Sequence, residues 1–370
     1  MRFEFATAQR ILFGSGTIKD LVPAAKSLGR RALIVTGRNP DRIRPHTQSL
    51  DAAFLSIPGE PTVDEIRTGV QQARAEACDV VIAIGGGSAI DAGKAIAVLL
   101  ANSGEPLDYL EVVGRGAPLT NPSKPFIAVP TTAGTGSEAT RNAVLASPQH
   151  RVKASLRSAS MLPRIAIIDP DLTLDLPPHI TASTGLDALT QLIEPYVSIR
   201  ANAFTDMLAV DGIAKATAQL REAYSNPHNA EARAAMSLAS LYSGMALANA
   251  GLGAVHGFAA PIGGMYTAPH GAVCAILLPP VIRANIRALA SRQPTSPLNA
   301  RYETILQLTG GIAWIEETAR QLNIPPLRTY GIDSTHLSEI AEKAAQASSM
   351  KANPIALTHA ELVEILEQAL

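Results

Sequence analysis

Two stretches of the chain concentrate side chains that can hold a cation or move a proton: LDALTQLIEP, residues 186–195, and VHGFAAPIGGMYTAPHG, residues 255–271. They contribute Asp187, Gln191, His256 and His270. Asp187 and Gln191 are four residues apart, and residues i and i+4 share one face of a helix, so both side chains can be offered to one ligand. A carboxylate and imidazoles are donors that a divalent zinc or iron ion accepts. On their own, two histidines 14 positions apart are ordinary structural residues. Hydrogen bonding and metal binding are both open at this point.

Two small-residue loops form a second group. DVVIAIGGGSAIDAGKAIAVLL, residues 79–100, sets Gly85, Gly86, Gly87 and Ser88 between a buried strand and a helix. Glycine permits close approach, and the free N–H groups and positive dipole end at a helix start favour a phosphate, which makes the turn a candidate diphosphate site. It is not the G-x-G-x-x-G fingerprint, and a tight turn without a ligand is the plain alternative. Asp91, read as lying on the first turn of that helix, either touches the ligand or complements the helix dipole. VPTTAGTGSEAT, residues 129–140, also leaves a strand, and its Thr131, Thr132 and Thr135 can bond ribose or phosphate oxygens. Such loops are commonly turns or caps, yet two at successive strand ends fit a dinucleotide lying across the carboxyl edge of a sheet.

The elements that carry these loops alternate. RRALIVTG, CDVVIAIGGGS, PFIAVPTT and RIAIIDP are short, wholly apolar runs, as strands of a parallel sheet covered on both faces are, and TVDEIRTGVQQARAEA between the first two has helical periodicity. The expectation is an N-terminal doubly wound α/β domain, residues 1–180. After the prolines near residues 175–183, alanine- and leucine-rich helical segments run to the end with no strand, so residues 181–370 are expected to form an all-helical domain. A length of 370 residues agrees with two domains. A net charge of −1 with both signs scattered gives no footprint for nucleic acid or an anionic membrane. The apolar runs AIAVLLA and AVCAILLPPVI fall short of the roughly 20 residues a spanning helix needs, and the N-terminus lacks a signal-peptide core, so a cytoplasmic protein is expected. Cys78 and Cys274, far apart in apolar surroundings, read as packing residues and argue against a thiolate metal site.

These loops, with RILFGSGTI near the start, DALTQLIEPYVS in the middle and GLGAVHGFAAPIGGMYTAPHGAVCAILLPPVI beyond, resemble the iron-containing (group III) alcohol dehydrogenase family. The likeness runs from Arg10 to NPIALT near the end, in the family's order. It implies the dehydroquinate synthase-like fold of an α/β dinucleotide domain and a helical domain, with the active site in the cleft between. It also implies that Gly86, Gly87, Ser88 and Asp91 surround a diphosphate, that Thr131, Thr132 and Thr135 reach the nicotinamide side, and that Lys153 lies near the nicotinamide ribose. Gly37 stands where many NAD-preferring members carry an aspartate; without that carboxylate NADP is permitted, and Arg38 can pair with a 2′-phosphate or be a solvated loop residue.

By the same resemblance the metal ligands fall on Asp187, Gln191, His256 and His270, where the family has an aspartate and three histidines. Glutamine is a poor ligand beside imidazole, but catalytic zinc commonly uses three protein ligands, and glycerol dehydrogenase, a related branch, is similar in using one aspartate and two histidines. A divalent metal is therefore expected, zinc ahead of iron. Ala260 stands where the alcohol dehydrogenases often have a proton-transferring histidine, which leaves water, cofactor hydroxyls or Tyr266 as the route. The expected function is an NAD(P)-dependent alcohol dehydrogenase or aldehyde reductase with Asp187, His256 and His270 at its catalytic centre, acting on a small alcohol, aldehyde or oxo-acid, and homo-oligomeric as family members commonly are. The rivals are a metal-independent reductase like the maleylacetate reductases, anchored by Arg141, Lys153, Arg157 and Arg200, a catalytically silent nucleotide sensor, and a dehydroquinate synthase-like lyase. Asn249, Phe258 and Tyr266 are expected to line the cleft; Trp314 is not.

Overall fold

The structure is a computed structural model that describes residues 2–150 and 152–370. The chain divides into two compact units, one of Thr7–Thr132 with Gly136–Leu174 and the other of Asp175–Leu370 with Ala133–Thr135 and the N-terminal residues up to Ala6. The boundary expected at 180 lies at Leu174/Asp175, and a three-residue loop tip belongs to the second unit.

In the first unit, strands β1 (Arg10–Phe13), β2 (Ala32–Thr36), β3 (Ala52–Ser56), β4 (Val80–Gly85), β5 (Phe126–Pro130) and β8 (Ile165–Ile168) form a sheet in the order β1-β8-β5-β4-β2-β3, every pair parallel. Strands β6 (Asn142–Ser147) and β7 (Val152–Arg157) form a separate antiparallel hairpin. The four apolar runs are β2, β4, β5 and β8; the sequence reading had no place for β1, none of whose residues is fully buried, or for β3 and the hairpin, whose strands mix buried and half-exposed positions instead of being buried throughout. Helices α1 (Leu21–Leu28), α2 (Arg44–Thr47), α3 (Val63–Ala75), α4 (Gly87–Ala101) and α5 (Pro106–Tyr109) complete the unit.

Alternation along the strands sends side chains to two layers. Leu33, Val35, Val81 and Ala83 pack with α3 and α4, while Ile34, Val80, Ile82 and Ile84 pack with α1. Helix α3 starts on a capping box: Thr62 Oγ1 accepts from Glu65 N at 3.2 Å and Thr62 N donates to Glu65 Oε2 at 2.8 Å. Helix α4 lies against the sheet because Gly93 has no side chain; a Cβ there would come within 2.7 Å of Phe126 Cε2. After β3 the chain crosses over β2 and resumes with β4, so the winding reverses between β2 and β4. Ligands of open parallel sheets bind at the carboxyl ends of strands at such a reversal.

The second unit is helical: α6 (Pro178–Val197), α7 (Ala203–Ser225), α8 (Ala230–Ala250), α9 (Ala254–Met265), α10 (His270–Arg292), α11 (Leu298–Thr309), α12 (Ile312–Gln321), α13 (Leu337–Gln346) and α14 (His359–Ala369). Among the described residues no strand follows Ile168. From Leu186 to Val197 every residue of α6 is buried, which is how a helix at the centre of a bundle differs from one with a wet face. Helix α10 is, contrary to the sequence expectation, long and apolar enough to cross a membrane, but 78% of its most apolar window is buried inside the structure, as in a core helix.

Candidate functional site

Asp187 on α6, His256 on the first turn of α9, and His270 and Cys274 on the first turns of α10 bring one donor atom each to within 4.8 Å of one another. Asp187 Oδ1 is 3.5 Å from His256 Nε2 and 3.8 Å from His270 Nε2. Cys274 Sγ is 3.8 Å from His256 Nε2 and 3.7 Å from His270 Nε2. Helix α10 reaches α6 because Gly271 lacks a side chain: a Cβ there would sit 2.2 Å from the Ser183 carbonyl oxygen. The separations from Asp187 exceed hydrogen-bond length, and its Oδ1 is buried without any hydrogen-bond partner. A carboxylate oxygen in that condition is costly, and acceptors that converge without touching are what a cation satisfies. The donor set and its orphaned oxygen fit a divalent metal.

Surrounding groups fix the donors. His256 Nδ1 is 2.6 Å from Glu194 Oε2, and Glu194 Oε1 accepts from the Val255 N–H at 2.7 Å. A carboxylate only accepts, so Nδ1 donates to Glu194, and whenever the ring is neutral its Nε2 lone pair faces the cluster. Asn353 Oδ1 accepts from Ala254 N at 3.1 Å, so the start of α9 is held by two outside side chains. Asp187 Oδ2 accepts from Gln191 Nε2 at 2.8 Å, and Gln191 Oε1 accepts from Ser243 Oγ at 3.0 Å. Burial acts to raise the Asp187 carboxyl, yet His270 and His256 together hold it below the usual range. Burial opposes protonation of His256, but Cys274, Glu194 and Asp187 raise it well above the ordinary value. His270 is raised chiefly by Cys274 against burial, with Asp187 adding to it. The negative groups therefore call for positive charge, from protons or from an ion. His270 keeps 39% of its side chain exposed while Asp187 and His256 are buried, so the cluster opens at that edge.

In the sheet unit, the predicted nucleotide loops converge at the winding reversal. Gly37 follows β2 and Gly85 ends β4; a Cβ on Gly85 would lie 3.3 Å from Gly37 N, and one on Gly86 would lie 3.3 Å from Thr132 Cγ2. Gly86 is the N-cap of α4 and no side chain caps that end, leaving Gly87 and Ser88 to open a helix with uncapped N–H groups. Thr131 and Thr132 are half-buried beside it. Arg38 is exposed, its Nη2 donating weakly to the Pro58 carbonyl at 3.4 Å.

Residues 8–170 match the iron-containing alcohol dehydrogenase family, and residues 181–370 match its C-terminal domain, Fe-containing alcohol dehydrogenase family, C-terminal. The chain belongs to the iron-containing alcohol dehydrogenases. It is 33% identical to the 1,3-propanediol dehydrogenase of Citrobacter freundii, over 99% of this chain and 98% of that protein. The crystal structure of a 1,3-propanediol oxidoreductase superposes with a TM-score of 0.90 at 33% identity, covering 100% of both chains. Sulfoacetaldehyde reductase from Bifidobacterium kashiwanohense, solved in complex with NAD+, gives a TM-score of 0.88 at 26% identity, covering 100% of this chain and 99% of that one. Like its family, the protein is an oxidoreductase acting on CH–OH groups of small molecules.

The structure gives the other expected residues these surroundings. Gln191 stands beside the donor cluster, with its carbonyl accepting from Ser243 and its N–H group donating to Asp187, so both ends of the amide are spent within the chain. Cys78 and Cys274 are both buried core residues, as expected, and the Cys274 sulfur also lies within 4.8 Å of the Asp187, His256 and His270 donor atoms. Asp91 lies on the second turn of α4, with Oδ1 accepting from Ser137 Oγ at 2.5 Å and Oδ2 from Val144 N at 2.9 Å, so both oxygens are committed to the chain itself. Lys153, on the hairpin, pairs with Glu60 at 3.2 Å, and Arg157 pairs with Glu111 at 3.7 Å. Thr135 belongs to the loop tip that clusters with the helical unit, where Gly134 lies against Thr184. Phe258 is fully buried core, and the Asn249 amide is spent on both backbone groups of Ala6. The Tyr266 ring stacks edge-on against His336, and Trp314 packs under Arg221. Glu194 and Ser243 went unnoticed in the sequence. Glu194 had a signal, because it lies seven residues past Asp187, on the same helix face; Ser243 had none.

Proposed function

We propose that the protein is an NAD(P)-dependent alcohol dehydrogenase or aldehyde reductase whose metal is held by Asp187, His256 and His270. The observation that carries this reading is the buried, unpartnered Asp187 Oδ1 facing two imidazole Nε2 atoms at 3.5 and 3.8 Å. A divalent ion there supplies Lewis acidity toward a substrate oxygen, and a nicotinamide supplies or accepts the hydride. The remaining work is positioning by the chain. Glu194 fixes the tautomer of His256, and Gln191 holds the second oxygen of Asp187. Gly86, Gly87 and Ser88 present N–H groups to a diphosphate at the start of α4, with Thr131 and Thr132 beside them. Gly37 offers no carboxylate to repel a 2′-phosphate and Arg38 is exposed next to it, which favours acceptance of NADP(H) as well as NAD(H).

Ala260 is exposed one turn beyond His256, so the side of the helix that would carry a relay imidazole is wet. The substrate proton leaves through water, a cofactor hydroxyl or the Tyr266 hydroxyl in this reading. Elemental analysis of protein purified without added ions, paired with NADH and NADPH turnover on short aldehydes and diols, tests it. One equivalent of zinc or iron and chelator-sensitive turnover is the expected result. Full turnover by metal-free protein, indifferent to chelator, would overturn it in favour of a metal-independent reductase.

A further inference from the structure

The ring of donors has four members, and the fourth is sulfur. We propose that Cys274 is itself a metal ligand, a thiolate that takes the coordination place Gln191 does not fill, so that the ion is held by one carboxylate, two imidazoles and one sulfur. This rests on the metal reading above. Its support is geometric. With zinc–nitrogen bonds of about 2.05 Å and a zinc–sulfur bond of about 2.3 Å, a tetrahedron has a nitrogen–sulfur edge of about 3.6 Å. The observed separations of Cys274 Sγ from the two Nε2 atoms are 3.7 and 3.8 Å. His270 and Cys274 are four residues apart at the start of one helix and so share a face, the relation that Asp187 and Gln191 have on α6. The vacancy is also explained: turning the Gln191 amide so that its oxygen faced the ion would set that oxygen, with no hydrogen to donate, beside Asp187 and lose the 2.8 Å bond between them.

Charge favours the same arrangement. Asp187 and a Cys274 thiolate together balance the two positive charges of the ion in a buried site. On binding, the sulfur–hydrogen bond breaks, the sulfur–metal bond forms from the same electron pair, and the proton passes to solvent. A soft thiolate in an imidazole site selects zinc over the harder ions, and with four protein donors in place the substrate oxygen would enter as a fifth, more weakly polarised ligand.

Cobalt substitution reads the ligand directly. The apoprotein loaded with one equivalent of Co²⁺ is expected to show a near-ultraviolet sulfur-to-cobalt charge-transfer band, absent in Cys274→Ala and Cys274→Asn, with zinc affinity in both variants lowered by about tenfold or more. The wild-type spectrum needs no variant to fold, and circular dichroism of the variants checks that they do. Stoichiometric cobalt without a charge-transfer band would overturn the thiolate ligand while leaving the three-ligand centre standing. Failure of wild-type protein to retain any divalent ion would overturn both.

Discussion

Lys94, on α4 of the sheet unit, is fully buried and donates to the Ser137 carbonyl at 3.0 Å, to Thr140 Oγ1 at 2.8 Å and to the Asn142 carbonyl, with Asp91 3.1 Å away. Asp187, on α6 of the helical unit, is equally buried, yet one of its oxygens has no partner. The Lys94 cluster closes on itself: its carboxylate also binds Ser137 and Val144, so the loop after β5 and the start of the hairpin are tied to the helix that opens the nucleotide turn. The Asp187 cluster leaves the two imidazoles facing the carboxylate and the thiol at 3.5–3.8 Å. A buried polar group must find partners within the chain or borrow them from a ligand. The closed cluster has the character of scaffold, and the open one fits the proposed metal site.

If that contrast holds, removing a charge from each cluster has opposite consequences. Lys94→Met leaves the Ser137 and Asn142 carbonyls without their donor and takes the counter-charge from Asp91, and is expected to cost about 3–5 kcal/mol in urea denaturation, with nucleotide affinity lost along with the fold of the loop. Stability within about 1 kcal/mol of wild type would show that the cluster is not scaffold. Asp187→Asn removes a charge that has no internal partner to lose on its Oδ1 side, so the metal-free fold should stay within about 1 kcal/mol of wild type. Bound metal should instead fall to zero, and kcat/KM for alcohol oxidation by about 10³-fold. Elemental analysis and turnover measure both; retained metal would place the ion elsewhere.

Glu138 sharpens the comparison through pH. It is buried near Lys94, and burial pushes its carboxyl up to about 7, against its own backbone N–H and Lys94, which pull it down. Between the unfolded value of 4.5 and 7, the folded protein keeps a proton that the unfolded chain has released. Stability is therefore full below 4.5 and falls as pH rises through 7, by about 3 kcal/mol in all. Glu138→Gln is expected to flatten that slope and to be the more stable protein at pH 8. A wild-type curve already flat over this window would mean that Lys94 compensates the charge entirely.

The sequence was most legible where one period or one chemistry ruled. Wholly apolar β2, β4, β5 and β8 announced a covered parallel sheet, and Asp187, His256 and His270 met where the family motifs implied. Strands β3, β6 and β7 were not legible because their half-exposed, alternating residues mix with polar loops. The place of Asp91 just past a glycine turn suggested a ligand, while the partners it has in the structure, Lys94 and Val144, depend in part on a hairpin that the pattern did not show. Cys274 reads as packing in the sequence and is buried in the helical core; its further closeness to the imidazoles, 3.7 and 3.8 Å, comes only from the fold of α10. Asn249 was assigned to a wall on position alone, and its partner, the backbone of Ala6, lies 243 residues away.

The smallest effect is expected from the residue that touches the open cluster without belonging to it. Glu194 receives two hydrogen bonds at once, from His256 Nδ1 on one oxygen and from Val255 N on the other. Glu194→Gln keeps the volume but offers one acceptor and one donor, so one of those N–H groups must face an NH₂ group. If the imidazole loses, His256 is free to turn its other tautomer toward the cluster and the Nε2 lone pair is withdrawn. If the backbone loses, the first turn of α9 loosens and carries His256 with it. Either way the metal is held less firmly, by about 10–100-fold in a chelator competition, while kcat at saturating metal stays near wild type. Unchanged metal affinity would show that packing alone, through buried Phe258 and Ala259, orients the ring.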